Sequence, residues 1–190
     1  MQSKVEAYDD GFFPPHYKGG KGYTYIAGVC THGPNKVLRI AWSTVKVDGN
    51  TTMNTILELT KILEGEVIIL DGVTYAGFDS VDPDVLTSST GKATIVVLQY
   101  PLNLSRIEKA LKKHFEDWME RFRVIRKVYE NSIHVATPWK TIRIYATGVG
   151  IEKALETMRM LCIYSPIPEP LRIAHTIASA LSRLRVSIKP

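Results

Sequence analysis

Apolar positions along this chain change period several times, and each change marks an element. Val5 and Ala7 alternate with Glu6 and Tyr8 up to Asp9, Asp10 and Gly11, which predicts a first strand ending on an acidic pair. The loop "GFFPPHYKGGKG" follows, broken by Pro14-Pro15 and Gly19-Gly20. Tyr23 to Gly33 and Lys36 to Gly49 read as a second and a third strand, and the turn-like "THGPN" between them predicts a hairpin. Past Asn50 the period lengthens. Met53, Ile56, Leu57, Thr60 and Leu63 recur at helical spacing, with Gly65 suited to the C-terminal cap. "VIILD" (Val67 to Asp71) and "KATIVVLQYP" (Lys92 to Pro101) are continuous apolar runs. Runs of that kind predict strands covered on both faces, as in parallel sheets.

Leu104, Ile107, Leu111, Phe115, Trp118 and Phe122 form one apolar stripe, and Ser105 with Glu108 has capping-box spacing. "LSRIEKALKKHFEDWMERF" therefore predicts one helix. Arg123 to Thr147 reads as further strand material, most clearly at "TIRIYATG". "IEKALETMRMLC" predicts a short helix, and "PEPLRIAHTIASALSRL" a long closing one with Pro170 in its first turn. No repeat, low-complexity tract or compositional break divides the chain, so a single domain over residues 1–190 is expected. The order is three strands with a hairpin, then helix, strand, helix, strand, helix. It resembles the ribonuclease H-like fold, an α/β architecture whose mixed sheet, flanked by helices, presents carboxylates from neighbouring strands to divalent metals.

Composition changes this picture little. A length of 190 residues is ample for a core, and 45% hydrophobic with 23% charged residues is ordinary for a soluble globular protein. The net charge of +5 permits an acidic partner such as nucleic acid but does not demand one, and a solvated Lys/Arg surface is the simpler reading. The two cysteines, Cys30 and Cys162, share no metal spacing and signal neither a disulfide framework nor a zinc site. "MQSKVEAYDDGFF" has no apolar signal core, and no apolar run approaches the ~20 residues that span a bilayer. A cytoplasmic protein without a membrane partner is expected.

The candidate chemistry begins at Asp71, the last residue of a strand read as buried. Open α/β sheets place ligands at the carboxyl ends of their strands. Asp9 ends the first strand, which in a ribonuclease H-like sheet lies beside the strand carrying Asp71. Two carboxylates brought within a few ångström repel unless a cation bridges them. Hard oxygen ligands suit Mg²⁺ or Mn²⁺, which activate water in phosphodiester hydrolysis. The competing reading is turn chemistry, since Asp10-Gly11, Asp48-Gly49 and Asp71-Gly72 are all Asp-Gly pairs. The last helix is equally two-sided. Ile173, Ala174, Ile177, Ala178, Ala180, Leu181 and Leu184 cover one face; Arg172, His175, Thr176, Ser179, Ser182 and Arg183 gather on the other. That polar face is either a wetted surface or points Arg172 and His175 at a scissile phosphate. In the first loop Tyr17, Lys18 and Lys21 combine rings and cations able to hold a nucleic-acid strand, or form a stiff connection packed on the sheet. Lys109, Lys112, Lys113 and Arg121 are interleaved with Glu108, Glu116, Asp117 and Glu120, an ordinary solvated face.

"LDGVTYAGFDSVD" (Leu70 to Asp82), "PEPLRIAHTIASAL" (Pro168 to Leu181), "AYDDGFF" (Ala7 to Phe13) and "VDGNTT" (Val47 to Thr52) resemble four signature stretches of the archaeal domain-of-unknown-function family 99. That family is similar to endonuclease V, a ribonuclease H-like enzyme that cuts strands near deaminated bases with Mg²⁺. The resemblance implies metal aspartates at Asp9 and Asp71, with His175 as an approximate counterpart of a late histidine in a Gly-His-Arg context. Three positions depart from it. Thr51 stands where the family has a second aspartate, Leu98 and Gln99 where endonuclease V ends a strand on lysine, and Leu171 where that histidine would fall. Asp48 is then the expected third carboxylate. Two functions follow: a metal-dependent nuclease with Asp9, Asp71 and His175 catalytic, or a nucleic-acid-binding or protein-interaction module that keeps the fold with a depleted site.

Overall fold

The computed structural model describes residues 4–187. Residues 1–3 and 188–190 of the expected domain lie outside the described residues. The chain runs β1 (Lys4–Asp10), a 3-10 turn (Pro15–Tyr17), β2 (Tyr23–His32), β3 (Lys36–Lys46), α1 (Thr52–Leu63) and β4 (Val67–Asp71). It continues through β5 (Thr74–Tyr75), β6 (Asp79–Ser80), α2 (Pro83–Thr90), β7 (Ala93–Leu98), α3 (Leu104–His114) and α4 (Trp118–Glu130). It ends with β8 (Ile133–Ala136), β9 (Thr141–Thr147), α5 (Ile151–Leu161) and α6 (Glu169–Ser187). Seven strands form a mixed sheet in the order β3-β2-β1-β4-β7-β9-β8. β1, β4 and β7 are mutually parallel at its centre, and the other pairings are antiparallel. The expected β2–β3 hairpin and flanked mixed sheet are both present.

The central strands are apolar throughout because both faces are covered. Tyr8, Ile68, Leu70 and Val96 pack with residues of α1 to α4 on one side. Val5, Ala7, Ile69, Ile95 and Val97 pack with α5 and α6 on the other. Successive side chains alternate faces along each strand, so a residue's parity fixes its layer.

The structure corrects several expectations. The stripe from Leu104 to Phe122 belongs to two helices, α3 and α4, broken at Phe115, whose backbone is extended (φ −135°, ψ 131°). The Phe115 ring meets Phe78 edge-on at 5.8 Å and lies under the Arg121 guanidinium at 4.4 Å, contacts that a continuous helix would not have aimed. Asp117 sits at the start of α4 and accepts from Arg121 Nε at 2.8 Å. Residues 123–130, expected as strand, complete α4. The α3 cap is Asn103, which accepts the Arg106 N–H, rather than Ser105. The α1 cap is Glu64, left-handed at φ 56°, rather than Gly65, because the Gly65 N–H is drawn to the buried Glu6 carboxylate.

Helix α6 packs on β1 and β2 along Leu171, Ala174, Ala178 and Ser182. Ser182, read from sequence as wetted, is buried, and Leu184, read as apolar-facing, is 59% exposed. The helix is rotated because small residues let it approach the sheet. A Cβ on Gly11 would overlap the Ala178 carbonyl and the Ser182 side chain. Ser182 Oγ reaches Thr24 Oγ1 at 3.3 Å and donates to Ala178 O at 2.8 Å. That seat fixes where the first turns of α6 project.

Candidate active site

Parity decides which acids meet. Val5, Ala7 and Asp9 share the α6 face of β1, Val67, Ile69 and Asp71 that of β4, and Ile95, Val97 and Gln99 that of β7 and the residue after it. Tyr8 pairs with Leu70 in the parallel register, so Asp9 and Asp71 follow side by side at the strand ends.

Asp9 is only 6% exposed. Its Oδ2 lies 2.7 Å from His175 Nδ1, and its Oδ1 accepts the Asp10 N–H at 2.8 Å. Both oxygens of Asp71 accept from Gln99 Nε2, at 3.0 and 2.9 Å. Asp10, of opposite parity, turns to the other face and accepts the Ala76 N–H at 2.7 Å. Burial first, then repulsion from Asp71 and Asp10, pushes Asp9 up to about 7. Burial raises Asp10 to about 6. Asp71 is also raised by burial, against hydrogen bonds from Gln99 and the charges of His175 and Lys140. Tyr75 is fully buried; burial raises its pKa most, and the charges of Asp9, Asp71 and Asp10 raise it further. The Asp71 backbone N–H acts against this rise, but no well-formed hydrogen bond reaches the hydroxyl among the described residues.

A cavity of ≈ 470 Å³ opens over Asp71, lined by Gln99, Tyr100, Leu171, Arg172 and His175. These groups fit a hard divalent cation. The donors are carboxylate oxygens held at neighbouring strand ends, and their repulsion is relieved by positive charge. Among the described residues no three His, Cys, Asp or Glu side chains are already grouped around an ion position. The fit is thus an open platform of Asp9 and Asp71, to which Asp10 adds only its charge from the other face of β1. Mg²⁺ tolerates such a platform because it keeps several waters.

The other expected residues lie elsewhere or are otherwise engaged. Asp48 does not join Asp9 and Asp71. It lies in the loop after β3, where its own N–H donates to the Ala76 carbonyl at 2.7 Å. Its oxygens accept the Gly19 and Phe78 N–H groups at 2.9 and 3.0 Å, tying three loops together. Arg172 lines the cavity, but its Nη1 is held by both Glu169 oxygens at 3.0 and 2.8 Å. Tyr17 packs against Gly22 and edge-on to His16. Lys18 lines a second cavity of ≈ 440 Å³ with Phe13, Asp48, Phe78, His114 and Phe115. Lys21 is exposed. Thr51, where a second aspartate was expected, opens α1, and its N–H is bound by Asp79 at 2.9 Å. Asp79 also takes the Thr52 N–H and hydroxyl, capping that helix from outside. Asp82 caps α2 and, with Asp84, binds Lys127. Of the acids after "VIIL", only Asp71 reaches the cavity. Gln99 and Tyr75 were not singled out as site residues from sequence. Parity would have found Gln99; nothing in the sequence marks the Tyr75 hydroxyl.

Known proteins share this fold. The endonuclease dU family matches residues 1–182. A UPF0215 protein of Thermococcus gammatolerans is 36% identical over 181 residues, 94% of this chain and 91% of that one. A protein of unknown function from Archaeoglobus fulgidus superposes with a TM-score of 0.77 at 20% identity, covering 94% of this chain and 97% of that one. Endonuclease V of Ciona intestinalis, solved with an inosine-containing DNA, superposes with a TM-score of 0.60 at 16% identity, covering 97% and 86%. The fold is ribonuclease H-like, as the element order predicted.

Proposed function

The chain belongs to the endonuclease dU family, and from that membership we propose that it is a metal-dependent endonuclease of the endonuclease V type. Its partner is nucleic acid, its cofactor Mg²⁺ or Mn²⁺, and it hydrolyses phosphodiester bonds near deaminated bases. The observation that carries the reading is the pair Asp9 and Asp71 at neighbouring parallel strand ends, with His175 bonded to Asp9. The family description names deoxyuridine and the Ciona complex contains inosine, both deaminated nucleosides.

Asp9 and Asp71 would hold the metal, with Asp10 adjoining. When bound, the metal supplies an activated water and neutralises charge on the leaving oxygen. Gln99 donates to both oxygens of Asp71, which orients that carboxylate and favours its charged form. Asp9 orients the imidazole of His175 through Nδ1, leaving Nε2 to move a proton at a substrate oxygen. Arg172, steadied by Glu169, offers its remaining donors to the phosphate. Tyr17, Lys18 and Lys21 hold the strand backbone, and the cavity lined by Phe13, Phe78 and Phe115 receives the altered base by stacking.

One observation favours a fold kept for binding alone: Gln99 already satisfies both Asp71 oxygens. Cleavage of uracil- and inosine-containing oligonucleotides with Mg²⁺, with Mn²⁺ and with chelator separates the two. Asp71→Asn should lower cleavage by orders of magnitude, because carboxylate binds hard cations better than amide oxygen. Metal-free binding should survive or tighten, since a negative charge near the phosphates is gone. Wild-type protein that cuts nothing with either metal, and binds as Asp71→Asn does, would replace the nuclease with the binder.

A further inference from the structure

Beside Asp71 stands a cation that the proposed chemistry has not used. Lys140 Nζ donates to the Gln99 carbonyl at 3.2 Å and lies 4.3 Å from the centre of the Tyr100 ring. The turn carrying it is fixed. Thr137 Oγ1 accepts the Lys140 N–H at 3.1 Å and donates to the Lys140 carbonyl at 2.6 Å. Among the described residues Lys140 forms no ion pair with a carboxylate, whereas Arg172, which lines the Asp71 cavity, is bound to Glu169. A lysine serving only to neutralise Asp71 would sit on its oxygens, and Gln99 occupies both. Lys140 therefore keeps donors and charge for something outside the protein. Tyr100 lines the cavity yet is 69% exposed, so a cation holds one side of the ring while most of its surface faces water.

We propose that Tyr100 and Lys140 form a strand-binding surface beside the Asp71 cavity: Lys140 takes a backbone phosphate, and a neighbouring base stacks on the open part of Tyr100. The occupant is single-stranded nucleic acid, because an exposed ring beside an unpaired cation matches a base and its adjoining phosphate at once. That the strand continues into a scissile bond rests on the nuclease reading; the binding itself does not.

The test is fluorescence anisotropy with a labelled single-stranded oligonucleotide carrying one uracil, in chelator, over a range of salt. Lys140→Met should weaken binding and reduce the slope of log affinity against log salt by about 0.7, the share of one phosphate contact on a single strand. Lys140→Arg should restore both. Tyr100→Ala should weaken binding roughly 5- to 150-fold with the slope unchanged, and Tyr100→Phe should bind as wild type. Lys140→Met and Tyr100→Ala binding like wild type with unchanged slope would overturn the surface, as would wild type that binds no oligonucleotide. Should Tyr100→Ala fail to fold, the two Lys140 variants decide. Cleavage measured in parallel keeps the two readings apart. Weakened binding beside a wild type that never cuts keeps the surface and removes the nuclease; variants that bind and cut like wild type do the reverse.

Discussion

His175 Nδ1 lies 2.7 Å from Asp9 Oδ2, joining residues 166 positions apart. The histidine side chain is 63% exposed and the aspartate 8%, so a buried carboxylate holds an imidazole that solvent and substrate can reach. A strand end and the first turns of the last helix thereby act as one unit.

The first prediction concerns pH. Asp9 is faced by Asp71, Asp10, Tyr75 and His175, and its pKa in the fold is about 7. An unfolded aspartate titrates near ~3.9. Between these values the folded chain holds a proton the unfolded chain has released, so this group's contribution to stability falls as pH rises from about 4 through about 7. Without metal, Asp9→Asn should abolish much of that slope and be the more stable protein at pH ~8, by roughly 2–4 °C in Tm per kcal/mol recovered. Thermal melts at pH ~5 and ~8 in chelator check it. An identical pH slope in both proteins would remove the charge-crowding argument.

Asp48 gives the second. Because its oxygens bind the Gly19 and Phe78 N–H groups, Asp48→Ala should destabilise by about 1–3 kcal/mol. Asp48→Asn should be milder, since asparagine tolerates the φ of 55° and keeps one carbonyl oxygen. Titration calorimetry with Mn²⁺ should find metal affinity unchanged in Asp48→Asn. A large loss would return Asp48 to the ligand set.

The third prediction acts on the site from a distance. Gly11→Ala pushes a methyl group into the Ala178 carbonyl and Ser182 of α6. Overpacking of this kind costs about 1–3 kcal/mol. Shifting α6 should also loosen the His175–Asp9 contact, so cleavage should fall although no site residue has changed. Chemical denaturation and cleavage rates measure the two effects; a variant as stable as wild type would mean that helix and sheet are less tightly seated than their contacts indicate.

Those three residues show what the sequence could carry. Strand runs and the acid at each strand end are local properties and were legible from period, whereas the neighbouring of β1 and β4, which brings Asp9 beside Asp71, was expected only from the resemblance of the element order to the ribonuclease H-like fold. The break at Phe115 was not, because α3 and α4 each keep the same 3.6-residue stripe and only the backbone of one residue separates them. Asp48 looked equivalent to Asp71 because both precede glycine after a strand. What separates them is the set of partners, since Asp48 binds N–H groups of two distant loops at Gly19 and Phe78, and such contacts are settled by long-range packing. The rotation of α6 escaped for a related reason: Ser182 is buried by a close approach over Gly11 that no hydrophobic scale records.

Tyr75 carries the last prediction. Its hydroxyl is fully buried and receives no well-formed hydrogen bond among the described residues, the Asp71 backbone N–H being the group beside it, a condition that costs up to about 1–3 kcal/mol. Tyr75→Phe removes the orphan and should raise the Tm of the metal-free protein. If the hydroxyl serves the proposed metal platform, the same change should lower Mn²⁺ affinity, giving stability and binding of opposite sign. Tyr8 supplies the control. Its ring belongs to the same core as Tyr75 and its hydroxyl is also buried without a well-formed hydrogen bond among the described residues, but the carboxylate that faces it is Glu6, whereas Asp9, Asp71 and Asp10 face Tyr75. Tyr8→Phe should therefore stabilise the protein and leave Mn²⁺ affinity untouched. Melts in chelator and calorimetric titrations on both variants decide the matter. Equal metal affinity in wild type, Tyr75→Phe and Tyr8→Phe would mean that the Tyr75 hydroxyl is only a packing defect, and that Asp9 and Asp71 must hold their ion without it.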